Sequence, residues 1–191
     1  MASESEHSGG LTTIVDPATL ETPSLQAVRA YWAEKRQGRT MPRRADIDPL
    51  DLKPYLPGIF MIDVLPPVAD FRFRLIGTAI TQRSQRDRTG KTLREVSAAA
   101  KPALFDWLTS VFTAVIREKC PVFTRAPLHA VQKEHIAYES IHLPLSEDGE
   151  AVTIIFGMTH FIVPAAPDDT SRCGRAAAIK NRLIFSVQSP L

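Results

Sequence analysis

FRFRLIGTAITQRSQRDRTGKTLR, residues 71–94, is the stretch of sequence that decides the fold. Over residues 71–75, apolar side chains alternate with arginines, which is the pattern of a strand with one buried face. Gly77 ends this strand, and Thr78 is placed to cap a short helix. A turn at residues 87–90 then leads back to apolar positions. A strand, short helices and an arginine-rich loop, followed by a long helix, predict a small α+β fold.

A second strand precedes this stretch. Residues 58–65, GIFMIDVL, are nearly all apolar and rich in β-branched residues, which indicates a buried strand. Because Pro66 and Pro67 end it, we expect the strand at 71–75 to pair back with it as a hairpin.

The clearest helix is predicted over residues 102–118. Pro102 suits its first turn, and its apolar residues recur at the helical period. They form one stripe: Leu104, Leu108, Val111, Phe112, Val115 and Ile116. A strand with the sequence VFTRAPLHA follows at residues 122–130, and Pro127 within it indicates an edge position or a bulge.

The last two predicted strands form a hairpin. HIAYESIHLPLS, residues 135–146, and AVTIIFGMTHFIV, residues 151–163, flank an Asp-Gly pair that is typical of a two-residue turn. With Asp148 and Gly149 as the turn, the apolar residues of both strands share one face. The predicted pairs are Leu145 with Val152, Leu143 with Ile154, Ile141 with Phe156 and Glu139 with Met158, with His160 diagonal to Glu139.

Glu139 and His160 are the sharpest candidates for a functional site. The predicted register points both polar side chains to the apolar face, where unpaired polar groups are costly. One interpretation is that the two residues satisfy each other structurally. The other is that they anchor a ligand in a pocket lined by Phe73, Leu75, Ile141 and Phe156.

A second candidate site is the basic loop after the strand at 71–75. Its cations surround Asp87 in the sequence: Arg83, Arg86, Arg88 and Lys91. They form either a solvated basic face or a site for an anion or a partner, since arginine forks match carboxylate and phosphate oxygens.

The ends of the chain differ in character from its centre. Residues 1–22 are polar, which predicts a flexible tail, and residues 164–191 are expected to be partly ordered at most. The domain is predicted over residues 23–163 and begins with an amphipathic helix at 24–38. The apolar stripe of this helix either packs on its own domain or forms a dimer interface: Leu25, Val28, Tyr31 and Trp32.

Composition and charge narrow the class of protein. The chain has 191 residues and a formal net charge of +2, which does not suggest a nucleic-acid partner. No apolar run approaches the ~18 residues of a membrane span, and the first residues do not resemble a secretory signal. Cys120 and Cys173 lie far apart, which favours a reduced, cytoplasmic setting.

The order of these elements resembles a PAS domain, and in detail the single-domain PAS proteins of alphaproteobacteria. The resemblance runs from about residue 25 to residue 163. The matching pieces are Tyr31-Trp32, PRRADIDP (42–49), FRFRLIGTAI (71–80), DRTGK (87–91) and LPLSEDG (143–149). The resemblance implies a five-stranded antiparallel sheet that is covered on one face by short helices and one long connector helix.

The resemblance also implies a function. It indicates a sensory or signalling module that binds a small, mainly apolar ligand between sheet and helices, acts through a protein partner and forms a homodimer. The alternative is a ligand-free dimerisation or adaptor module. An enzyme is not expected, because the sequence has no nucleophile elbow, zinc-protease motif or phosphate-binding glycine loop.

The identity of a cofactor is left open by the sequence. Flavin photosensors of this class need an Asn-Cys-Arg motif, which the chain lacks. Haem-binding members place a histidine on the long helix, and residues 101–119 contain none. Haem would therefore need His160 or another unusual ligand, and no metal site is predicted.

Overall fold

Six antiparallel strands form one sheet at the centre of the computed structural model, which describes residues 13–16, 19, 22–66, 70–97, 102–127 and 137–162. The strands are β1 (Thr13–Ile14), β2 (Ile59–Leu65), β3 (Asp70–Ile76), β4 (Val122–Pro127), β5 (Ala137–Leu145) and β6 (Ile154–Ile162). Their order across the sheet is β1-β4-β5-β6-β2-β3. The α+β class and the five predicted strands are confirmed, and the two-residue β1 extends the sheet beside β4.

Helices cover both faces of the sheet. The helices are α1 (Pro23–Lys35), α2 (Thr78–Ser84), α3 (Leu93–Ser97) and α4 (Pro102–Glu118), with 3-10 turns at Arg44–Asp46 and Lys53–Gly58. On one side, which we call the α4 face, the ring of Phe112 meets that of Phe71 at 4.9 Å. On the other side, the α1 face, Trp32 Nε1 donates a hydrogen bond to the Pro144 carbonyl at 2.9 Å.

The first helix begins and ends close to its predicted bounds of 24–38. It ends at Lys35 because Gln37 and Gly38 adopt left-handed backbone conformations, with φ of 49° and 85°. Within the segment predicted to be a flexible tail, Thr13 and Ile14 pair with β4. The predicted C-terminal tail, 164–191, lies outside the described residues.

Gly77 ends β3 because no side chain fits there. A Cβ at this position would lie 2.3 Å from the Pro57 carbonyl oxygen, so only glycine allows the two backbones to approach. Gly77 itself is the residue that precedes α2, and no side chain caps this helix. The expectation that Thr78 caps the helix is therefore wrong.

The register of the β5–β6 hairpin differs by two residues from the predicted one. Asp148 Oδ1 accepts hydrogen bonds at 2.8 Å from the backbone of Glu150 and Ala151 and from the Ser146 hydroxyl, so a longer loop replaces the two-residue turn. These bonds lower the pKa of Asp148 to about 2. The observed pairs are Leu145 with Ile154, Leu143 with Phe156, Ile141 with Met158 and Glu139 with His160. A shift of two keeps every side chain on its predicted face.

A bulge in the β2–β3 pair changes the position of Leu75. Phe73 pairs with Ile62 and Leu75 with Met61, so Arg74 is the extra residue. Phe73 is buried, but Leu75 is 40% exposed. The strict alternation of residues 71–75 predicts that Leu75 lies beside Phe73 in the core. Because of the bulge, this prediction is wrong.

Candidate functional site

A cavity of about 180 Å³ lies between the α4 face of the sheet and helices α2 and α4. Its walls are mainly apolar: Phe60, Ile62, Phe73, Ile76, Ile80, Phe105, Trp107, Leu108 and Phe112. Five polar residues complete the lining: Arg88, Tyr138, Ser140, His142 and Thr159. An apolar cavity of about 150 Å³ is large enough to bind benzene, so this one accepts a molecule of that class.

The periods of two elements place these side chains. Tyr138, Ser140 and His142 alternate along β5 and so point to the same face of the sheet. On α4, Phe105, Leu108 and Phe112 are spaced by three and four residues and form one helix face.

His142 and Ser140 are the most buried of the five polar lining residues, each 3% exposed. The His142 ring lies 5.3 Å from that of Phe60 and 5.9 Å from that of Phe112. Nε2 lies 3.4 Å from the Thr124 hydroxyl, whereas Nδ1 has no partner within the described residues. Burial lowers the pKa of His142 to about 3. The imidazole is therefore neutral at pH 7 and offers one unused nitrogen to the cavity.

Of the lining residues that the structure describes, Arg88 is the only one with a formal charge at pH 7. Its Nε is buried and has no hydrogen-bond partner among the residues that the structure describes. Burial, and then the charge of Arg86, lower the pKa of the guanidinium. A cation in such surroundings stays charged but gains from an anion placed beside it.

The other cations of the basic loop point elsewhere. The Arg83 guanidinium lies over the Phe161 ring, 5.3 Å from its centre. Arg86 and Lys91 are exposed. The structure therefore separates Arg88 from the other three members of the predicted anion or partner site, whose binding role stays a prediction.

The predicted pocket residues do not come together around one cavity. Of the six, only Phe73 lines the cavity. Four lie on the strands' opposite side, the α1 face: Glu139, Ile141, Phe156 and His160. The prediction was right that these four share a face, but the helix that covers their face is α1 rather than α4. The six residues therefore do not line one pocket between the sheet and the helices.

Glu139 is satisfied by the N-terminal segment rather than by His160. The carboxylate is fully buried and forms an ion pair with Arg125, whose Nε donates to Oε1 at 2.8 Å. The other oxygen accepts hydrogen bonds from the Thr22 hydroxyl and, at 3.3 Å, from its backbone. Burial acts to raise the pKa of Glu139, but the bonds from Thr22 and Arg125 outweigh it and hold the pKa below its usual value. His160 lies directly opposite Glu139 in the β5–β6 register rather than diagonal to it, but the hydrogen bonds of the Glu139 carboxylate go to Thr22 and Arg125.

The apolar stripe of α1 packs within its own chain. Leu25, Val28 and Trp32 are at most 3% exposed. Tyr31 accepts a hydrogen bond from the Asp48 backbone at 2.8 Å, which holds the PRRADIDP segment against the helix. Of the two interpretations of this stripe, the structure favours packing on the domain. These residues do not form a free surface for a dimer.

His142 was not among the predicted site residues, and Arg88 was predicted as one of four loop cations but not as a residue of the cavity. His142 lies two residues after Ser140 on β5, and this spacing in the sequence indicates that the two side chains share a face of the sheet. Nothing in the sequence distinguishes Arg88 from its neighbours, because its direction depends on how the loop folds against β3.

Within the described ranges, no group of three or more His, Cys, Asp or Glu residues is arranged to hold a metal ion. No helix in the same ranges has both the length and the apolar character needed to cross a membrane.

Comparison with known proteins gives one match. A protein-family model described as PAS domain matches residues 20–160, which is most of the chain. No curated protein and no solved structure matches it. The matched range contains α1 and the strands and helices that enclose the cavity.

Proposed function

Because this chain belongs to the PAS domain family, we propose that it is a sensory module whose cavity binds a small, mainly apolar ligand. The cavity supports this proposal most directly. Its walls are apolar, and two of its polar groups, Arg88 Nε and His142 Nδ1, have no partner within the described residues. Ligand sites commonly combine a largely apolar wall with a few such polar groups.

The ligand state would be passed on by contact with another protein. The family is associated with signalling and protein interaction in general, and we propose a partner protein, a homodimer and a cytoplasmic setting for this chain. We propose no catalytic role. The cavity lining holds an imidazole and three hydroxyls, but none of its residues is a carboxylate that could orient the imidazole as a base.

The cavity is tested by filling it. Ile80 lies on α2 and lines the cavity, so Ile80→Phe should occupy part of its volume. We expect wild-type protein to bind toluene and indole, with a rise in melting temperature, and Ile80→Phe to lose that rise. Isothermal titration calorimetry measures the same loss as a change in Kd.

Leu50→Phe is the matched control, because Leu50 is 80% exposed and does not line the cavity. This variant should bind both probes as the wild type does. Equal binding of toluene by wild type and Ile80→Phe would show that the cavity is not the binding site.

A further inference from the structure

We infer that Arg88 selects ligands that carry one carboxylate, so that the cavity takes a small carboxylic acid with an apolar body. This inference rests on the proposed function and names the chemical class of its ligand. It goes beyond a cavity for apolar molecules, because it assigns the recognition step to one side chain.

The unpaired state of Arg88 is the first observation. Its Nε is buried without a hydrogen-bond partner, and no lining residue of the cavity is acidic, within the part of the chain that the structure describes. Buried donors are nearly always paired in native proteins, and an unpaired one is unfavourable. A carboxylate in the cavity would supply the missing acceptor through the two-pronged geometry that guanidinium groups favour.

The loop that carries Arg88 is fixed at both sides. Before it, Asp87 Oδ1 accepts a hydrogen bond from the Thr89 backbone at 2.8 Å. After it, the Lys91 backbone N–H donates to the Arg88 carbonyl at 3.0 Å. The loop is also bound to β3, because Phe73 bonds to the backbone of Gly90 at 2.7 Å and of Lys91 at 3.0 Å. The backbone of Arg88 is thus held in place before any ligand arrives.

Nearby acids do not neutralise this cation. The Asp87 carboxylate is committed to Thr89, and its pKa is lowered by those hydrogen bonds. Asp70 Oδ1 accepts a hydrogen bond from the Phe71 backbone, and Asp70 Oδ2 lies 4.0 Å from Arg94 Nε. Arg86 adds a second positive charge to the surroundings of Arg88. An incoming anion therefore has no carboxylate from the described residues to displace from Arg88.

Charge and size limit the ligand to a monoanion. Among the described lining residues, Arg88 is the one charged group, since His142 is neutral and the remaining polar residues are hydroxyl-bearing. A dianion such as a phosphate monoester would bring a second charge into an apolar cavity with no cation to meet it. A volume of about 180 Å³ suits one aromatic ring or a short alkyl chain beside the carboxylate. His142 Nδ1 remains for one further polar contact.

The test compares probes of equal shape and different charge. Benzoate and hexanoate are titrated against benzamide and hexanamide, with toluene as an apolar probe and phenyl phosphate as a dianion, all by calorimetry at pH 7.5. We expect wild-type protein to prefer each carboxylate over its amide by roughly 10- to 100-fold, as for a hydrogen bond to a charged group. Phenyl phosphate should bind more weakly than benzoate.

Variants of the loop identify the side chain that recognises the carboxylate of the ligand. Arg88→Gln should lose the preference for carboxylates and keep its affinity for amides and toluene. Arg88→Lys should retain part of the preference, because lysine keeps the charge without the planar fork. Lys91→Gln, at an exposed cation of the same loop, should match the wild type. Thermal unfolding of each variant shows whether it is folded.

Three results would overturn the inference. If the wild type binds amides and carboxylates equally, or if Arg88→Gln keeps the preference, Arg88 does not select the ligand, and the cavity proposal stands on toluene binding. Phenyl phosphate that binds as tightly as benzoate would reject the carboxylate class. Failure of every probe, including toluene, would overturn both this inference and the proposed function.

Discussion

His142 is a polar residue that the fold keeps uncharged. In the unfolded chain its pKa is near 6.5, whereas burial lowers it to about 3 in the folded protein. Between these values the unfolded state binds more protons, so stability falls as pH decreases from about 6.5 towards 3 and is unaffected by this group above that range. The Phe60 and Phe112 rings flank the imidazole, and burial is the cause of its lowered pKa.

Replacing His142 should remove this dependence on pH. We expect the unfolding free energy of the wild type to fall by up to about 1.4 kcal/mol for each pH unit within the window because of His142. For His142→Leu, the decrease per pH unit should be smaller by that amount. Urea unfolding at pH 7.5, 6, 5 and 4 measures the difference between the two proteins. Parallel curves for wild type and variant would show that His142 does not titrate in this way.

At the scale of elements, Glu139 joins β5 to the segment before α1. Thr22 uses its hydroxyl on Glu139 instead of capping the helix that follows it. Arg125 extends the connection, because its Nη2 also donates to the Thr19 carbonyl at 2.9 Å. A residue predicted to anchor a ligand thus holds the N-terminal segment on the sheet.

Glu139→Gln keeps the shape of the side chain and removes its charge. We expect a loss of about 1–3 kcal/mol in unfolding free energy, because charge-assisted bonds to Thr22 and Arg125 are weakened. Backbone amides of α1 should exchange faster with deuterium. The folded-state pKa of Glu139 is lowered, so its carboxylate stabilises the folded protein above the usual carboxyl pKa, and this stabilisation is lost as pH falls. Glu139→Gln should lack this loss of unfolding free energy in acid.

Glu150→Gln is the control, since Glu150 is an exposed glutamate on the β5–β6 loop. It should change stability by less than about 0.5 kcal/mol. Wild-type stability and exchange rates in Glu139→Gln would contradict a stabilising role for Glu139.

For the whole molecule, periodicity was enough to predict the strands and helices but not the site. Alternation along β5 shows which side chains share a face, yet it does not show whether α1 or α4 covers that face. The register failed for a local reason, because Asp148 binds three donors and forms a larger loop than an Asp-Gly pair usually does. Arg88 was predicted only as one of four loop cations, because its position at the cavity depends on hydrogen bonds between the loop and β3 that the sequence does not show.

The position of α1 leads to a prediction about the entire fold. Trp32 is buried and bonded to the Pro144 carbonyl, so Trp32→Ala should cost about 3–5 kcal/mol of unfolding free energy. Leu50→Ala, at an exposed site, should cost less than about 0.5 kcal/mol. Chemical denaturation measures both, and size-exclusion chromatography with light scattering follows the oligomeric state. A Trp32→Ala protein that keeps its stability but changes from dimer to monomer would restore the interface interpretation.

Strand β5 has the cavity on one side and the N-terminal segment on the other. Ser140 and His142 line the cavity, while Glu139, between Tyr138 and Ser140, holds Thr22. Neighbouring residues share one backbone, so a ligand that displaced Ser140 would also displace Glu139 and its hydrogen bonds to Thr22. If the cavity binds a ligand as proposed, its occupancy should alter how tightly the start of the chain is held on the sheet.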